Sequence, residues 1–122
     1  MTKTAKLSKA DLMHFTGSEH WYRHALNRNV LFTDGTKYVA DEGGAYWFLD
    51  TIPLLQLSNK RIGAEEFQVW KLAVGPERGA TLTCEDGNYN VVYTQQLEFT
   101  DFPAPEITLW FENNTSYLPS ER

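Results

Sequence analysis

Residues 45–57 read AYWFLDTIPLLQL, and this stretch decides the fold class because its apolar side chains cover nearly the whole circumference of a helix. A helix that is apolar all round must be buried. Pro53 has no N–H and clashes with the carbonyl of Leu49, so we expect the helix to kink or to restart there. The stretch therefore predicts one buried helix that other elements must surround.

On the C-terminal side of this helix the apolar residues change to the two-residue period of strands. The last such segment alternates most clearly, with Ile107, Leu109 and Phe111 on one face. Asp86-Gly87-Asn88 is typical of a hairpin turn, and short connections of this kind join antiparallel neighbours. The predicted strands are residues 67–74, 80–85, 89–97 and 106–112.

On the N-terminal side, Asp34-Gly35 predicts a two-residue hairpin turn between strands at residues 29–33 and 36–40. Short helices are predicted at residues 7–15 and 18–26, each beginning at a serine cap. The fold class that follows is α+β: an antiparallel sheet of two hairpins plus a C-terminal strand, covered on one face by two or three short helices. We expect a single domain over residues 1–122, with residues 1–6 frayed.

Composition excludes several classes of protein. The chain has 122 residues, of which 42% are hydrophobic, and its one cysteine, Cys84, cannot form an internal disulfide. The N-terminus shows no apolar leader and no segment is long enough to cross a bilayer, so we expect a cytoplasmic protein without membrane contact. Residues 1–61 carry 8 Lys/Arg and 6 Asp/Glu, whereas residues 62–122 carry 3 and 10, a net charge of −7. An acidic half of this kind argues against nucleic-acid binding.

Five strings in the chain resemble one known family. They are FTGSEHWY at residues 15–22, GAYWFLD at 44–50, FQVWKL at 67–72, LTCEDGN at 82–88 and LPSE at 118–121. Together they resemble an uncharacterised bacterial family of small proteins, a domain of unknown function often carried on phages, plasmids and cyanobacterial genomes. The resemblance implies an intracellular bacterial setting and a mobile-element origin. It implies no activity, ligand or catalytic residue.

Weak catalytic candidates are Asp50, His20 and His24. Asp50 is the only charge in the buried helix, and an unpaired buried carboxylate is costly, so it must find a partner. One hypothesis pairs Asp50 with His20 or His24 as acid and base; the other has Asp50 or Thr51 cap a helical restart before Pro53. The two histidines have the i,i+4 spacing of a metal pair, but no zinc motif accompanies them, so we predict no metal and no cofactor.

Candidate binding residues are Trp70, Trp110 and Tyr46. One of the two tryptophans is expected on the face of its strand opposite the apolar one, as part of a partner-binding patch. Cys84 is expected to be a small core residue. The favoured function is a small interaction module whose acidic, aromatic surface meets a host protein or another copy of itself. The alternatives are a small hydrolase-like enzyme and a small-molecule-binding domain with a pocket between helix 45–57 and the sheet.

Overall fold

A computed structural model of the protein describes residues 20–121. Its helices and strands follow in chain order. They are β1 (Trp21–Arg23), β2 (Leu31–Thr33), α1 (Asp34–Gly43), α2 (Tyr46–Ser58), α3 (Lys60–Gly63), β3 (Phe67–Val74), β4 (Ala80–Asp86), β5 (Val91–Leu97), β6 (Glu106–Glu112), β7 (Thr115–Tyr117) and a final 3₁₀ turn (Pro119–Glu121). The α+β class expected from the sequence is confirmed.

The strands form one seven-stranded sheet in the order β1-β2-β7-β6-β3-β4-β5. All neighbours are antiparallel except β2 and β7, which run parallel, so the sheet is mixed. The four predicted strands are confirmed as β3 to β6, although β5 begins at Val91 rather than at Tyr89. Strand β7 has no counterpart in the sequence prediction. It connects the C-terminal end of the chain to β2 and so joins the two halves of the sheet.

The expected hairpin around Asp34-Gly35 is wrong, because helix α1 (Asp34–Gly43) occupies this segment. Thr33 caps the helix, and its Oγ1 accepts a hydrogen bond from Thr36 N at 3.3 Å. Gly35 does not have a positive φ. A Cβ at this position would lie 2.6 Å from Glu121 Oε1. Glycine is therefore needed at position 35 because the C-terminal turn with Glu121 approaches the helix closely there. The same Asp-Gly pair is also typical of a hairpin turn, which explains the wrong prediction.

The helix predicted at residues 18–26 is also wrong within the described part of the chain. Residues Trp21–Arg23 form strand β1, in which Trp21 pairs with Thr33 and Arg23 pairs with Leu31. The local helical pattern is overridden because pairing with β2 satisfies the backbone of this segment. The helix predicted at residues 7–15 and the fraying expected at residues 1–6 lie outside the described residues.

Helix α2 confirms a helix in this segment, but it is buried on one face only, since Tyr46, Leu54 and Leu57 are exposed, and it continues across Pro53 without the restart expected there. Phe48 and Ile52 are completely buried and belong to the same apolar core as Trp70 and Leu72 of strand β3. Side chains from helix and sheet thus pack directly against each other. None of the helices within residues 20–121 combines the length and apolarity that a membrane crossing needs.

Candidate functional site

The structure brings His24 and Asp50 into direct contact. Nε2 of His24 lies 2.8 Å from Oδ1 of Asp50, and the histidine side chain is only 3% exposed whereas that of the aspartate is 45% exposed. Nδ1 of His24 accepts hydrogen bonds from Leu26 N and Asn27 N, both at 3.1 Å. Because Nδ1 accepts, the proton of the neutral ring is on Nε2 and is donated to Asp50.

Asn27 makes a second hydrogen bond between the loop that follows β1 and helix α2, in addition to that of His24. Its Nδ2 donates to the carbonyl oxygen of Pro53 at 2.9 Å, and its side chain is buried. The loop between β1 and β2 is therefore held on α2 by an imidazole and an amide that act side by side. Asp50 does not cap a helical restart as the alternative interpretation expected, because its carboxylate accepts from His24 within a continuous helix.

The chemistry available to this pair is limited by its hydrogen bonds. A general base needs a nitrogen lone pair that faces the substrate. The lone pair of His24 Nδ1 is directed at two backbone N–H groups, and Nε2 faces Asp50. The arrangement is that of a structural clamp, and an acid–base role would require the loop at residues 24–27 to rearrange.

His20 is not part of this arrangement. Its side chain is 69% exposed, and its Nδ1 lies 3.3 Å from Oδ2 of Asp34 at the start of helix α1. Tyr22 donates to the other oxygen of Asp34 at 2.9 Å, and this hydrogen bond holds the pKa of Asp34 below its usual range. His20 and His24 thus have different carboxylate partners. No group of three His, Cys, Asp or Glu side chains within residues 20–121 could hold a metal ion.

The three candidate binding residues lie in different surroundings. Trp70 is completely buried, and its indole N–H donates to Oε1 of Gln68 at 2.9 Å, so it is a core residue and not part of a surface patch. Trp110 is half-buried on the opposite side of the sheet, where its ring contacts Phe67 and Tyr117 edge to face. Tyr46 is exposed at the start of α2 and donates to Oδ1 of Asp41. The structure does not bring these three residues together.

A cavity of about 230 Å³ opens beside the ring of Tyr117, where strands β1, β2, β6 and β7 meet. Trp21 forms one wall, and this tryptophan is 55% exposed. The carboxylate of Glu112 forms another and accepts a hydrogen bond from Tyr117 Oη at 2.6 Å. The residues that line the cavity are Trp21, Thr33, Glu112, Asn113, Thr115, Tyr117 and Glu121. An aromatic face and a carboxylate in one cavity form a surface that suits a cation.

Glu121 lines the same cavity but serves the fold. Its Oε1 accepts from Thr33 Oγ1 and from Leu118 N, both at 2.7 Å, and its Oε2 accepts from Gly35 N at 3.0 Å. The side chain is buried and lies at the N-terminal end of helix α1, where the helix dipole favours a negative charge. The carboxylate therefore fastens the C-terminal turn of the chain to this helix.

Sequence reasoning did not find Trp21, Glu112 or Glu121 as site residues. Trp21 lies in a segment whose sequence predicts a helix, so its position opposite Thr33 does not follow from the sequence. Glu112 ends a correctly predicted strand, but its neighbour Tyr117 belongs to the strand that was missed. The available signal was the alternation of residues 106–112, which places Trp110 and Glu112 on the same face, opposite to the buried one.

Cys84 is a buried core residue, as expected. Burial, with the nearby carboxylates of Glu65 and Glu85, raises the pKa of its thiol to about 12. Only the thiolate reacts with alkylating reagents. We expect iodoacetamide at neutral pH to modify the folded protein at least roughly tenfold more slowly than the urea-unfolded protein. Equal rates, measured by mass spectrometry, would contradict this prediction.

The chain matches the sequence model of a known protein family. The sequence model of a Family of unknown function (DUF6876) matches residues 6–122, which is nearly the whole chain. This confirms the expected resemblance to a family of unknown function. No curated protein and no solved structure shows significant similarity to the chain.

Proposed function

The chain belongs to this family, and because the family description assigns no activity, we propose from the chain's own surface that it is a protein-interaction module. The observation that carries the proposal is the cavity in which Trp21 and Glu112 lie together. We infer that this cavity receives a lysine or arginine side chain of a partner protein. An exposed tryptophan ring attracts a cation by roughly 0.5–2 kcal/mol, and a carboxylate adds a charge-assisted hydrogen bond.

The geometry supports this proposal in two ways. Tyr117 donates to Glu112 and so holds one carboxylate oxygen in place, which reduces the ordering that binding must supply. The half of the chain that provides Glu112 has a net charge of −7, so a basic partner is attracted before contact. We take the helices to lie on one face of the sheet, which leaves the face with Trp110 and Glu112 for the partner. A cytoplasmic bacterial setting and a host protein as target belong to the same proposal.

The test is a titration with a blocked tetralysine peptide, followed by NMR. Glu112→Gln is expected to weaken binding several-fold, and Trp21→Ala is expected to weaken it further because the cation loses the ring. Glu77→Gln is the matched control, since it removes the same charge from an exposed turn outside the cavity. Added salt is expected to weaken binding to the native protein.

Two results would count against the proposed function. One is a native protein that binds tetralysine no better than it binds tetraglutamate. The other is an equal loss of affinity in Glu112→Gln and in Glu77→Gln, which would mean that the peptide responds to net charge and not to the cavity.

A second candidate function is the acid–base enzyme, and the 2.8 Å contact between His24 and Asp50 is the observation that favours it. It requires the lone pair of His24 Nδ1, which two backbone N–H groups occupy. Hydrolysis of a p-nitrophenyl ester that is abolished in Asp50→Asn, without loss of fold, would support this candidate over the interaction module.

A further inference from the structure

Strand β5 (Val91–Leu97) lies at one end of the sheet. Within the described residues it pairs with β4 alone. The N–H and C=O groups on the outer side of an edge strand are a template for another strand. This edge is therefore a place where a further chain can add to the sheet.

The composition of β5 leaves this edge unprotected. Its sequence, VVYTQQL, contains no charged residue and no proline. Charged residues and prolines are two of the means by which proteins block an edge strand. Strand β1, at the other end of the sheet, has only three residues and carries Arg23. The register shift lies in β5 itself, where Val92 is the extra residue between Val91 and Tyr93, which pair with Glu85 and Cys84, so only residues 93–97 keep a regular register with β4. The long, neutral edge is thus β5.

We propose that β5 pairs with β5 of a second copy of the chain, antiparallel, about a two-fold axis that passes between the two Thr94 residues. In this register Tyr93 lies opposite Gln95, within the residues that keep a regular register. No like charges meet along the strands, because β5 has none. The first charge beyond it, Glu98, comes to lie near Asn90 of the other copy, beyond the register shift at Val92. The edge is self-complementary, which a two-fold interface requires.

The exposed apolar residues beside β5 point to the same partner. Tyr89 stands two residues before the strand and is 85% exposed, whereas Phe99 stands two residues after it and is 69% exposed. The proposed register brings Tyr89 of one copy towards Phe99 of the other at both ends of the interface. Aromatic residues of this size supply much of the stabilisation of protein interfaces when they are buried. A second copy would therefore cover the exposed apolar side chains at both ends of the edge.

The experiment is sedimentation equilibrium over a wide range of protein concentrations. We expect the native protein to pass from the monomer mass of 14.0 kDa to twice that mass. Thr94→Lys places two ammonium groups opposite each other at the axis, and we expect the dimer to weaken by about tenfold or more. Ser58→Lys, an equal charge change at the exposed end of helix α2, is the matched control and should dimerise as the native protein does.

Further measurements keep the outcome decisive. Phe99→Ser alters the interface from outside the strand, so it tests the proposal even if Thr94→Lys disturbs folding, which circular dichroism would detect. Amide hydrogen exchange in β5 should slow as the dimer forms. A native protein that stays monomeric at every concentration overturns the proposal, and so does a dimer that neither Thr94→Lys nor Phe99→Ser weakens. Glu112→Gln, which tests the cavity, should leave the dimer unchanged.

Discussion

Replacing Glu121 by alanine is expected to lower the free energy of unfolding by about 3–4 kcal/mol. The change removes the acceptor of two backbone N–H groups, those of Gly35 and Leu118, and of the Thr33 hydroxyl. Each buried donor left without a partner costs roughly 1–3 kcal/mol. The loss also frees the C-terminal turn from the N-terminal end of helix α1. Urea denaturation followed by circular dichroism measures the effect.

The control for this prediction is Glu77→Ala, which removes a carboxylate from an exposed turn and should change stability by less than about 0.5 kcal/mol. Glu121→Gln keeps one acceptor oxygen and should fall between the two. If Glu121→Ala loses no more than the control, the carboxylate does not fasten the C-terminal turn in solution.

Replacing His24 by alanine is expected to cost about 2–3 kcal/mol of stability. The imidazole is buried and links three groups, namely the backbone N–H groups of Leu26 and Asn27 and the carboxylate of Asp50. Without the imidazole, the N–H groups of Leu26 and Asn27 lose their acceptor. The hydrogen bond from Asn27 Nδ2 to the carbonyl oxygen of Pro53 then remains to hold the loop between β1 and β2 on helix α2. Chemical denaturation is again the measurement.

His20→Ala supplies the matched control, because this histidine is exposed and contacts the partly exposed carboxylate of Asp34 at the start of helix α1. Its effect should stay below about 0.5 kcal/mol. Equal stability of the two variants would show that His24 is not a clamp, and the acid–base hypothesis would then gain, since a catalytic group can be removed without unfolding the protein.

The two proposed surfaces lie far apart in the sheet order. The cavity with Trp21 is formed near β1, β2 and β7, whereas β5 is the last strand at the other end. A dimer through β5 would leave both cavities open, one near each outer end of a continuous sheet. Such a dimer could hold two basic segments at once, and the second contact would gain from the high local concentration that the first one creates.

The elements that the sequence predicted correctly are those whose pattern is set by burial alone. Helix α2 follows from an apolar stretch too uniform for a strand on a half-exposed sheet, and β6 follows from clean alternation. Their boundaries agree because the same periodicity that marks them also determines which residues are buried.

The candidate site could be predicted only in part. Asp50 was identified as a charge that must find a partner, and its partner is one of the two histidines proposed. That the contact forms a clamp depends on Nδ1 of His24, whose two donors come from the loop that follows it. No periodicity in the sequence encodes such a loop.

By itself, then, the sequence determined the α+β class, the presence of helix α2, the strands β3 to β6 and part of β2, because local periodicity records which side of an element faces the core. Only the tertiary structure decided whether residues 34–43 form a helix or a hairpin, since Gly35 reports a contact with Glu121, 86 residues away. The same holds for the parallel pairing of β7 with β2, in which Leu31 lies opposite Thr115. Contacts between residues far apart in the chain leave no local pattern, and the cavity is made by such contacts, since it joins Trp21 and Thr33 to Glu112 and Tyr117.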